Sequence, residues 1–234
     1  MRPVLTFAAM ALCGALLRAD GLADLKAALK SQPGATRIRV KVEQEEVERE
    51  SGKDKTSRRS ALVEDGPEGL RVVEDSRGAA APAPKKGGAK PGGKKGSGSF
   101  HDELRTAEGL LEQLETARVL EERAEAYEGR PARRLRLALD LDLDAEARSH
   151  LKKAEHEATV WIGADGLPLA MRHRIEIQAR VLLLASVWTK VDLHRRFQQV
   201  RGRLLVLDEQ ADVQGSALGK SFNAKETTRC AVVP

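Results

Sequence analysis

Between residues 167 and 187, ten of the eleven odd-numbered positions are apolar, and His173 is the exception. Arg172, Arg174, Glu176, Gln178 and Arg180 fill even positions of the same run. A period of two predicts a strand with one buried face. The run is long for one strand, so a bend or bulge is expected near 179–186. Similar alternation marks Ile38, Val40 and Val42 against Arg37, Arg39, Lys41 and Glu43. It recurs where Leu135, Leu137, Leu141 and Leu143 alternate with Arg134, Arg136, Asp140, Asp142 and Asp144. Shorter strands are predicted at 60–65, 69–75 and 117–129, and longer ones at 191–200, 203–213 and 222–233. Helical spacing is confined to a few places. Leu22, Leu25 and Leu29 follow Asp20, a suitable N-cap. Leu104, Leu110, Leu111 and Leu114 predict a second helix over 101–116, and 145–154 reads as a short third. Strands follow strands with turns between them, which predicts an antiparallel meander, not alternating strands and helices.

The stretch "ATVWIGADGLPLAMRHRIEI" carries the clearest turn. Asp165-Gly166 suits a hairpin. Pro168 falls at the start of the second strand, where its missing N–H does least harm.

Two segments stand outside this pattern. Residues 1–19 begin with Arg2, continue as an uncharged run over 4–17, and end on Leu17-Arg18-Ala19. This is the layout of a secretory signal peptide, and a run of about fourteen residues is too short to span a bilayer as a helix. Leu12 before Cys13 argues against lipidation at that cysteine. Cleavage leaves Cys230 alone, so it is either a buried thiol or an intermolecular one. The second segment, 77–99, holds "GAAAPAPKKGGAKPGGKKGSGS" and has nothing with which to build a core. Residues 20–234 therefore read as one domain interrupted by a Gly/Pro/Lys-rich insert. The net charge of +5 resides largely in the leader and in Arg77, Lys85, Lys86, Lys90, Lys94 and Lys95. What remains is slightly acidic, which argues against a nucleic-acid partner. Lys85, Lys86, Lys90, Lys94 and Lys95 suit weak contact with an anionic membrane surface.

Motifs for chemistry fail on inspection. "GSALGKS" has three residues where a phosphate-binding loop needs four. "DLDLD" opens like a calcium loop, but Ala145 and Leu151 replace the required glycine and glutamate. The five histidines lack metal-ligand spacing, and no serine sits in a nucleophile elbow. No catalytic residue, metal site or cofactor is expected. The apolar odd-numbered face is then the functional candidate: Leu169, Met171, Ile175, Ile177, Val181 and Leu183 form either the core or the lining of a ligand site.

Trp161 followed by Gly166-Leu167-Pro168, with long strands after it, resembles the bacterial outer-membrane lipoprotein-sorting, LolA/LolB-like proteins. The resemblance covers mainly residues 117–233. It implies an α+β fold, a curved antiparallel half-barrel with helices packed in or across the concave face. It also implies a non-enzymatic periplasmic or secreted protein that binds a lipid, an acyl chain or a lipoprotein, with Leu169, Met171, Ile175 and Ile177 facing the ligand. The other reading is a structural or regulatory protein that binds another envelope protein.

Overall fold

The computed structural model describes residues 20–32, 34, 36–50, 53–76, 100–141, 148–181, 185–217 and 219–234. The leader, Cys13, Leu143, Leu183 and the insert with its lysines lie outside the described residues. Helix α1 (Gly21–Lys30) starts where Asp20 Oδ1 accepts from the N–H groups of Leu22 and Ala23. That side chain satisfies two of the four donors a helix start leaves open. Leu22, Leu25 and Leu29 form its buried stripe, and full burial stabilises by roughly 2 kcal/mol per leucine.

Ten strands form a single unclosed, curved antiparallel sheet. Strands β1 (Ile38–Glu50), β2 (Lys53–Gly66) and β3 (Gly69–Asp75) run outward to one edge. Helices α2 (His101–Leu104) and α3 (Thr106–Leu114) come next in the chain, before the opposite edge. From there β4 (Arg118–Ala124), β5 (Arg133–Ala138), β6 (Leu151–Ile162), β7 (Pro168–Val181), β8 (Ala185–Val200), β9 (Arg203–Ala217) and β10 (Lys220–Val233) return inward. The order is β3-β2-β1-β10-β9-β8-β7-β6-β5-β4, so β1 and β10 meet inside the sheet. The expected α+β half-barrel is the observed architecture, and the chain is a meander as its alternation predicts.

Three local expectations change. Of the helix expected over 145–154, residues 148–149 are helical and 145–147 lie outside the described residues, while from Leu151 the chain is β6, which pairs with both β5 and β7. Pairing partners on both sides outweigh the helix propensity of its Ala, Lys and Glu residues. The long apolar run divides within 179–186, as expected, but into two paired antiparallel strands. It reverses between Val181 and Ala185, and β7 pairs back on β8 from Ala170–Arg196 to Val181–Ala185. The helix expected over 101–116 is broken at Arg105, whose guanidinium reaches down to buried Asp65 at 3.1 Å.

The hairpin forms as read. Gly166 has φ +80, the Leu167 N–H donates to Asp165 Oδ1, and β7 starts at Pro168. Trp161 lies on the outer face, its indole N–H donating to Glu125 and its ring tilted against Tyr127 at 5.2 Å.

The two edges are blunted. Strands β3 and β4 have seven residues each, against 12–16 in the strands from β6 to β10. Each also carries an unpaired residue in a register shift, Val73 in β3 and Leu120 in β4. Short, bulged edges are how sheets discourage further strand pairing.

Candidate functional site

The helices pack on the sheet face that carries Met171, Ala158 and Leu137. Helix α1 contacts α3 and β5, while α2 and α3 contact β9. Beneath them lie two clusters. One joins Leu25, Leu29, Leu110 and Leu114 to Leu135, Leu137, Val160, Met171 and Phe197. The other joins Phe100 and Leu104 to Ile38, Val40, Val42, Val63 and Cys230. Charges on this covered part are paired. Asp65, fully buried, accepts from Arg203 at 2.5 Å and Arg105 at 3.1 Å. Arg59 bonds Asp75 at 2.6 Å and lies 4.5 Å over the Phe100 ring.

Alternation along each strand carries the same face beyond the helices. Residues directly opposite each other across an antiparallel pair share a face, so the pairing defines rows across the sheet. The first row runs Leu137, Ala158, His173, Leu193, Ala211, Glu226, Glu46, Ser57. The next holds His156, Ile175, Val191, Val213, Ala224 and Glu48. A third holds Ala154, Ile177, Thr189, Gly215 and Phe222. Ile175, Ile177, Val191, Leu193, Ala211, Val213 and Ala224 are half-buried and belong to neither core cluster. The patch measures roughly 14 Å in each direction, from strand spacing and rise per residue. Phe222, 37% exposed, ends it: a Cβ at Gly215 would run into the Phe222 ring, so the missing side chain lets that ring lie down on the sheet.

The six residues singled out in the sequence separate here. Met171 is core, 1% exposed. Leu169 is the extra residue in a bulge between the Trp161–Ala170 and Ile162–Pro168 pairs, half-buried beside Gly163. Ile175 and Ile177 lie on the uncovered patch. Val181 ends β7, and Leu183 falls outside the described residues. Val191, Leu193, Ala211, Val213 and Ala224 complete the patch, and period two along β8, β9 and β10 was the signal available for them.

A polar line marks where the helix-covered part stops. His156 Nε2 and His173 Nδ1 are 3.1 Å apart, and His173 Nε2 is buried without a hydrogen-bond partner among the described residues. Burial, with Arg195 and His156 adding repulsion, pushes the His173 imidazole down to about 3. His156 is also lowered by burial, so the pair is neutral near pH 7. Arg195 and Glu209 form a buried ion pair on the same face. Burial, then Glu103, Glu209 and Asp208, pushes the Cys230 thiol up to about 12, which keeps it protonated and unreactive.

Elsewhere the features are modest. An open cleft of about 630 Å³ flanks the 163–166 hairpin between α1 and residues 131–133, and none of the patch residues lines it. The phosphate-loop mimic is the β9–β10 hairpin, with Gly219 at φ +77. Among the described residues, no group of three or more His, Cys, Asp or Glu is arranged to hold a metal. Likewise, no helix among them is long and apolar enough to cross a membrane.

No protein-family model and no curated protein matches the sequence. Among solved structures the chain is similar to MucB, seen in a crystal structure of MucB in complex with MucA(peri). Identity is 9% over 90% of this chain and 94% of that one, with a TM-score of 0.21. A likeness that weak carries no argument for what this chain binds.

Proposed function

We propose that this is an exported, non-catalytic binding protein of the bacterial envelope, periplasmic or secreted. It holds an apolar ligand, an acyl chain, lipid or lipoprotein, against the uncovered half of its half-barrel. One observation carries the reading: seven apolar side chains on adjacent strands share a face with the core yet pack in neither core cluster. Contiguous apolar surface of this kind marks an interaction site. Export rests on the leader pattern of residues 1–19. Lys85, Lys86, Lys90, Lys94 and Lys95 would add attraction to anionic headgroups.

Native mass spectrometry of protein purified from the envelope tests this. Bound lipid, or uptake of labelled fatty acid that is lost in an Ile177→Asp/Val213→Asp variant, is expected. No bound lipid and no uptake would reject it.

A second reading, a structural or regulatory protein that binds an envelope partner, draws on Trp188, 40% exposed at an even-numbered position of β8 and so on the outer face. The blunted edges argue against a partner strand adding there. Crosslinking in cells that recovers lipid but no protein would sink this version.

A further inference from the structure

The one polar residue in the apolar stripe of β7 is His173. It stands in the first row of the patch, directly opposite Leu193 across the β7–β8 pair, and is 3% exposed. In the next row toward the helices, Met171 is followed by Arg195, Glu209 and Thr228, all three buried. Polar groups therefore form the inner border of the patch. The ring centroids of His156 and His173 are 5.4 Å apart and the facing nitrogens 3.1 Å, so the rings meet end to end in an N–H···N bond. Two nitrogens sharing a metal at about 2 Å would draw the centroids to below about 5 Å.

Imidazole nitrogens lie on opposite edges of the ring. With Nδ1 of His173 turned to His156 on β6, Nε2 faces the β8 side, where Leu193 and the Arg195–Glu209 pair stand. Nε2 is the atom with no hydrogen-bond partner among the described residues. A polar atom buried in that way costs stability, which a partner restores. After burial itself, Arg195 is the main influence against positive charge on this ring. A lone pair on Nε2 suits that neighbour better than an N–H, which leaves the proton on Nδ1, donated to His156. The border atom is therefore an acceptor, and a ligand group that meets it must donate. A carboxylate does not donate, and it stands beside the Glu209 carboxylate. An ammonium donates, but it brings a second positive charge to Arg195, whose own charge Glu209 already matches. A hydroxyl donates and carries no charge.

We infer that the patch takes an uncharged amphiphile, an alkyl chain ending in a hydroxyl, with the O–H donated to His173 Nε2 and the chain running outward over Ile175, Val191 and Val213 toward Phe222. This rests on the apolar-ligand reading above and names the head of that ligand.

Calorimetric titration of the full chain with decanol, decyl methyl ether and decanoate, each within its soluble range, varies the head and keeps the tail. Decanol is expected to bind roughly tenfold more tightly than the ether, the scale of one buried hydrogen bond, and more tightly than decanoate. Simple partition favours the ether instead, because it is the more apolar of the two. In His173→Leu the preference for the alcohol over the ether should vanish while ether binding is kept, and thermal melts establish that the variant folds. Nitrogen NMR of the imidazoles in the natural sequence needs no variant: His173 Nε2 should be unprotonated, and its shift should move when decanol is added. Equal binding of alcohol and ether, or tighter decanoate binding, overturns the inference and leaves the apolar-ligand reading standing. So does a preference unchanged in His173→Leu, a proton already on Nε2, or a shift that decanol does not move. Binding of none of the three amphiphiles overturns both.

Discussion

One face of one sheet is put to two uses here. Under the helices, Leu135, Leu137 and Val63 are fully buried, and the charges beside them are locked in pairs such as Asp65 with Arg203. A few residues farther along the same strands, Ile175, Ile177, Val191 and Val213 are half-buried and belong to neither core cluster. Strand pattern does not distinguish the halves, because period two continues through both. What differs is the helix packed above, so the covered half is expected to govern stability and the uncovered half binding.

Substitutions on either side test that division. The largest effect is expected for Asp65→Ala, which leaves Arg203, 5% exposed, without its carboxylate; loss of one partner of a buried pair costs about 3–5 kcal/mol. Urea unfolding measures it, and a cost near that of a surface substitution would mean the network is wet. Next comes Leu137→Ala, expected to cost about 3 kcal/mol as a cavity forms. Ile177→Ala on the uncovered half should cost less than about 1 kcal/mol. Equal losses would erase the distinction between the halves.

A smaller effect follows from His173. Its folded-state value of about 3 lies below the ordinary 6.5, so between those values the unfolded chain holds the proton. Stability from this group is complete above about pH 6.5 and falls by about 1.4 kcal/mol per pH unit below it. By pH 5 the natural sequence should have lost about 2 kcal/mol more than His173→Leu does from its own neutral-pH value. Parallel curves for the two proteins would show that acid reaches His173 without unfolding.

How far the sequence foretells this differs from region to region. Helix α1, the β1 alternation and the hairpin at Gly166 are local, and capping, parity and turn chemistry announce them. Strand β6 is not announced: "HLKKAEHEA" has the composition of a helix and is a strand because β5 and β7 flank it. The apolar face of β7 is legible as a face, but its partition is not. Met171 becomes core as part of a cluster that reaches residues as distant as Leu25, while Ile177 does not. The β1–β10 seam joins strands from the two ends of the sequence, and no spacing rule reports it.

That same β1–β10 seam bears on how the molecule comes into being. Synthesis proceeds from the N-terminus, so β1, β2 and β3 are complete long before β10 exists, and β1 then presents one side of its backbone with no neighbour. Closure waits for the last strand made, a contact between nearly the two ends of the chain and therefore a slow one. Until then the half-finished sheet has a third edge, in its middle and free of the bulges that guard the outer two. A chaperone that shielded this nascent strand would act at a place where the finished fold no longer shows any need.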